Sequence, residues 1–134
     1  MSKSTERGFE NITLLTRKNF NPDATFNSET EALRHGLTTV MCFAGWCGHC
    51  TAAKPIYNEI CKMGKCMNIN LCGIDAVANK DLIERLNKVI KLPKGDTLIA
   101  GYPTFIQFKD GKYLRRYDES YNNREALLAF IIGD

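Results

Sequence analysis

The chain has 134 residues, of which 44% are hydrophobic, a formal net charge of +3, and six cysteines. That length and apolar content suffice for one globular domain with its own core. The basic residues are scattered rather than clustered, which argues against a nucleic-acid surface. No apolar run reaches the roughly 18 residues a membrane span needs.

In chain order, residues 1–10 show no periodicity and are expected to form a mobile tail, leaving a single domain over 11–134. Met1-Ser2-Lys3-Ser4-Thr5-Glu6-Arg7-Gly8 lacks the apolar core of a secretory signal. Asn11-Ile12-Thr13-Leu14-Leu15 alternates enough for a first strand. Phe26 and Glu29–Arg34 suggest a short helix, with Ser28 as N-cap and Glu31 three residues later. His35-Gly36 closes it, so His35 reads as a helix-terminal residue and not a ligand.

A hydrophobic run over 38–43 reads as a buried strand that stops at Gly45. Thr51–Ile60 then reads as a helix with Pro55 inside it, ending near Met63-Gly64. Met67–Asp75 is the expected central strand. Asn79 is expected to cap a helix over Lys80–Lys91, whose apolar face carries Leu82, Ile83, Leu86, Val89 and Ile90. Leu92–Thr97 is a loop. Thr104–Phe108 and Tyr113–Tyr117 flank the turn signal Asp110-Gly111, and Asn122 or Asn123 caps a last helix, Arg124–Ile132. This order gives an α/β domain, a mixed sheet covered by helices.

Between the second strand and its helix stands Trp46-Cys47-Gly48-His49-Cys50. Backbone N–H groups at a helix start carry partial positive charge and favour a thiolate over a thiol. Gly48 and His49 hold the two sulfurs within mutual reach, so the pair can cycle between dithiol and disulfide. Zinc sites share the Cys-x-x-Cys spacing. A set of Cys47, Cys50, Cys61 and Cys66 would, however, spread over roughly 20 Å of continuous helix, too far for one metal. Cys42 and Cys72 read as small buried hydrophobes. Cys61 and Cys66 bracket a helix-end turn, either as a second disulfide or as two unconnected thiols.

The Trp46–Cys50 motif, Pro55 eight residues after Cys47, and Gly101-Tyr102-Pro103-Thr104 together resemble the thioredoxin superfamily. Leu14-Leu15-Thr16, Asn19-Phe20 and Tyr121-Asn122-Asn123-Arg124, with the Cys-Gly-His-Cys sequence, are similar to the catalytic, a-type domains of protein disulfide isomerases. The resemblance covers roughly residues 11–132 and implies a thioredoxin fold, with a central mixed β-sheet flanked by helices. It also implies a cis peptide before Pro103, leaving the backbone of Tyr102 free to pair with an extended substrate. The 56 residues from Cys47 to Pro103 exceed what a minimal domain of this kind needs, and the surplus is expected in the following helix and the 92–97 loop.

On this reading Cys47, flanked by Trp46, is the exposed nucleophile. Cys50 is the buried resolving thiol, and His49 lowers the pKa of Cys47. No cofactor is expected beyond the redox-active Cys47–Cys50 disulfide. The expected partners are protein thiols or disulfides and an unidentified redox partner, met by a monomer. One departure stands out: where such domains carry a buried acid six residues before the first Cys, this chain has Met41, and the facing lysine is also missing, its place being Leu71 or Cys72. The motif leans towards an oxidase or isomerase. A thioredoxin-like reductase is the alternative, as is a binding module that uses Trp46 and Tyr102-Pro103 with little turnover. With no signal or C-terminal retention tetrapeptide, a cytoplasmic or virus-associated setting is expected, as for similar lone domains.

Overall fold

In a computed structural model, which describes residues 1–62 and 66–133, six strands form one sheet in the order β1-β2-β4-β3-β5-β6. They are β1 (Ser2–Lys3), β2 (Thr13–Leu14), β3 (Leu37–Phe43), β4 (Ile69–Asp75), β5 (Thr104–Lys109) and β6 (Lys112–Arg116). β3 runs parallel to β4 and antiparallel to β5, so the sheet is mixed. The helices are α1 (Gly48–Glu59), α2 (Lys80–Val89) and α3 (Arg124–Ile132).

Alternation along β3 divides the core in two. Val40 and Cys42 join Ile74, Leu82, Leu86 and Ile106 beneath α2. Met41 and Phe43 join Ala53, Tyr57, Phe105, Leu127 and Ile131 beneath α1 and α3. A strand covered on both faces reads as a continuous hydrophobic run, which is why 38–43 shows no polar alternation. Tyr57, fully buried on α1, sets its hydroxyl 2.7 Å from the Thr39 carbonyl and 2.8 Å from that of Cys72, clamping α1 onto both central strands.

Gly73 makes room for this packing. A Cβ there would stand 3.2 Å from Ile12 and 3.2 Å from the Phe43 ring. Gly36, at φ 80°, turns the chain into β3 with a left-handed backbone that favours glycine.

The structure corrects several expectations. Residues 1–10 are not a tail outside the domain. β1 pairs with β2, Phe9 is buried against Phe43 and Tyr57, and Asn11 donates two hydrogen bonds to Asn58 of α1. One buried aromatic side chain anchors this segment without any periodic signal.

The first expected helix is a 3-10 segment, Ser28–Leu33, and its cap is Asn27, whose side chain accepts from the Glu29 N–H. Ser28 already lies inside the segment, while Asn27 has the extended backbone that a cap requires. Asn79 occupies the N-cap position of α2, but its amide donates to the Asp75 carbonyl instead of capping. Val89 is 40% exposed and belongs to the outer side of α2. Asn123, not Asn122, caps α3 by accepting from Ala126 N–H.

α1 ends at Glu59; the expected end near Met63-Gly64 lies outside the described residues. The surplus after α2 is folded against it. Leu98 and Ile99 are buried, and the Asn87 side chain both accepts from and donates to the Ile99 backbone.

Candidate active site

The end of β3 delivers the chain into a tight approach to α1. Cys47 is the N-cap residue of that helix, with an extended backbone, and its N–H donates to Ala44 O. No side chain caps the helix, so the first-turn N–H groups face the sulfur of Cys47. Gly48 opens the helix in unobstructed space, and Cys50, one turn in, is 1% exposed.

The two thiols are driven apart. Cys47 is not the exposed thiol that was expected: it is only 8% exposed, and burial alone would push it up. Hydrogen bonds from the Cys50 backbone, the Cys50 thiol and the His49 backbone outweigh that and hold Cys47 below the ordinary thiol range. Burial, together with the adjacent Cys47, pushes Cys50 up to about 11, against a hydrogen bond from the Ala44 backbone.

Trp46 is 74% exposed and meets the Tyr102 ring edge-on at 6.0 Å. The Tyr102–Pro103 peptide is cis, and the Cys47 thiol donates to Tyr102 O at 3.3 Å. Trp46, Cys47, Cys50, Tyr102 and Pro103 thus come together at one end of the sheet.

The His49 imidazole takes a different route from the one expected. Its Nδ1 lies 3.3 Å from the Tyr121 hydroxyl, and it is the His49 backbone N–H that bears on Cys47. The contact with Tyr121 spans 72 positions of sequence and left no local signal.

Met41 is fully buried, and its partner across the ladder is Gly73. Cys72 packs on the opposite face, beneath α2, and Leu71 is apolar, so neither supplies an amino group. Lys54, which the motif did not single out, lies near these thiols and lowers the cost of the Cys50 anion.

Cys61 and Cys66 form a disulfide, which takes both out of any metal set shared with the first pair. Among the described residues no group of three or more His, Cys, Asp or Glu could hold a metal ion, and no helix is long and apolar enough to cross a membrane. A cleft of about 500 Å³, bordered by Lys3, Asn58, Cys61 and Cys66, lies at the far end of α1 from the thiols. Neither Cys47 nor Cys50 borders that cleft.

The profile of the thioredoxin family matches residues 17–133, so the chain belongs to that family. Among curated relatives, a protein disulfide-isomerase of Aspergillus niger is 31% identical over 98 residues, 73% of this chain and 17% of that protein. Protein disulfide-isomerase A3 of Gallus gallus is 33% identical over 96 residues, 72% of this chain and 16% of the relative. The chain therefore spans about a sixth of the length of these relatives.

Of solved structures, zinc-bound human ERp44 aligns with a TM-score of 0.65 at 21% identity, covering 90% of this chain and 30% of that one. Mitochondrial thioredoxin 3 of Saccharomyces cerevisiae aligns at 0.63 and 19% identity, covering 92% and 96%. These two speak to the fold alone. Fold and relatives together make this a thioredoxin-fold protein related to protein disulfide isomerases.

Proposed function

We propose that the chain is a protein thiol–disulfide oxidoreductase working through Cys47 and Cys50, with an oxidase or isomerase bias. The observation that carries this reading is the placement of the two thiols: Cys47 at the N-cap of α1, 3.3 Å from the carbonyl of Tyr102 before the cis Pro103, and Cys50 buried one turn further in, where the first is held low and the second raised by burial. A low-pKa outer thiol attacks and leaves readily, while a buried inner thiol stays protonated until a substrate sulfur is already attached.

In the reducing direction the Cys47 thiolate attacks one sulfur of a substrate disulfide. The Cys47–substrate bond forms as the substrate S–S bond breaks, and the first substrate thiolate leaves. Cys50 then loses its proton and attacks the Cys47 sulfur. The intramolecular disulfide forms, the second substrate thiolate leaves, and two electrons have passed to the substrate. Run backwards, the same steps oxidise a substrate dithiol. Tyr102, with its backbone beside the sulfur, would align an extended protein segment, and exposed Trp46 would cover its side chains. A separate redox partner would reset the pair.

Stabilising the Cys47 thiolate favours the reduced form and makes the disulfide a better oxidant, which is the basis of the bias. Equilibration of the pair against glutathione buffers tests it. A potential near about −180 mV is expected, and one near about −270 mV would assign a reductase instead. The buried Met41, where no carboxylate can take the Cys50 proton, favours a second reading: a binding module that holds partners as long-lived mixed disulfides. Rapid release of substrate thiols after the first attack would eliminate it.

A further inference from the structure

Lys54 stands one helical turn after Cys50 on α1, so the two side chains share a face. Its side chain is only 12% exposed, and its Nζ is 2.9 Å from Glu6 Oε1. The same ammonium lies 4.3 Å from the centre of the Phe43 ring and 5.2 Å from that of Phe9. Phe9, Phe43, Cys47 and Cys50 all belong to one buried cluster. Holding a cation at so dry a place requires compensation, here a carboxylate and two ring faces. A lysine that served only solubility would reach water instead.

We propose that Lys54, held in place by Glu6, is a positioning residue for the second step, its ammonium stabilising the Cys50 thiolate as that sulfur attacks Cys47. This rests on the reading of Cys47 and Cys50 as a redox pair. The step removes the Cys50 proton to solvent, breaks the Cys47–substrate bond, forms the Cys47–Cys50 bond and releases the substrate thiolate.

The other groups facing Cys50 cannot supply the charge. Cys47 is neutral once bound to substrate. Cys42 on β3 is pushed up to about 12 by burial, Tyr102 before β5 is also raised by burial, and the Ala44 backbone offers only a hydrogen bond. Lys54 is the cation among them. Because Glu6 comes from the N-terminal segment, the docking of that segment is tied to the chemistry.

The test uses the full chain with Cys47 and Cys50 reduced, and dithionitrobenzoate as the probe disulfide at equimolar concentration. Its coloured thiolate is released once when Cys47 is modified and again when Cys50 resolves the adduct. The rate of the second release is followed from pH 6 to 9. Lys54→Met is expected to slow it about tenfold across this range, the loss that a rise of about one unit in the Cys50 pKa gives below its midpoint. Lys54→Arg should recover most of the rate, and Glu6→Gln should fall in between.

A Lys54→Met profile that overlies the wild type, or a Lys54→Arg variant as slow as Lys54→Met, overturns the proposal. Should Lys54→Met not fold, Glu6→Gln at its half-exposed site decides the matter, and an unchanged profile overturns it. If the wild type never releases the second thiolate, the redox reading itself fails and this one with it.

Discussion

Two cysteines separated by two residues behave oppositely because the helix start sets one at its tip and the other inside it. Cys47 gains hydrogen bonds that favour its anion, whereas Cys50 loses water and gains a sulfur neighbour that disfavours its own. That asymmetry makes a specific prediction. Cys50→Ala should accumulate covalent complexes with protein substrates, visible on non-reducing gels and lost with dithiothreitol, while Cys47→Ala should give none. Complexes of equal yield from both variants would contradict the assignment of the nucleophile. At this scale the pair was legible, since spacing along a helix start is local information. The contacts that tune it were not. Tyr121 reaches His49 from the segment before α3, and Glu6 reaches Lys54 from the N-terminus.

Among the elements, the N-terminal segment differs most from its expectation. Its strand is two residues long, too short to leave any alternation, and it is held by pairing to β2 and by Phe9. Phe9 is 1% exposed, so Phe9→Ala should cost about 3–5 kcal/mol of stability, read as a lowered urea midpoint. A midpoint within error of the wild type would return these residues to the status of a loose tail. α1, β3 and β5 were more legible, because long apolar runs and the Asp110-Gly111 turn signal act within one segment. Helix caps were read only to within a residue. An N-cap is defined by backbone conformation, and neighbouring polar residues such as Ser28 and Asn27 differ in that alone.

At the scale of the whole molecule, covering the sheet on both faces buries thiols that no catalytic step uses. Cys42 and Cys72 are each pushed up to about 12 by burial, against an ordinary value of 9.0. Both are neutral in the folded and unfolded chain below pH 9, so they leave stability unchanged there. Above pH 9 the unfolded chain releases these protons while the folded one keeps them, and stability falls as pH rises towards 12. The loss is on the order of 4 kcal/mol per thiol over that window. The urea midpoint should therefore drop between pH 9 and 11, and Cys42→Ala with Cys72→Ala should flatten the slope. An undiminished slope in the double variant would show that other groups govern alkaline unfolding.

The amino-acid sequence alone determined the Cys-x-x-Cys pair, the helix that begins at it, the central strands and the family they resemble. Each of these depends on residues close together in the chain or on a recurring motif. Tertiary structure alone decided that Cys61 pairs with Cys66, that His49 meets Tyr121, and that the N-terminal segment docks to bring Glu6 onto Lys54. The last two bring together residues far apart in sequence, and the disulfide depends on where the chain leaves α1 and enters β4. Such contacts exist only once the helices have packed on the sheet.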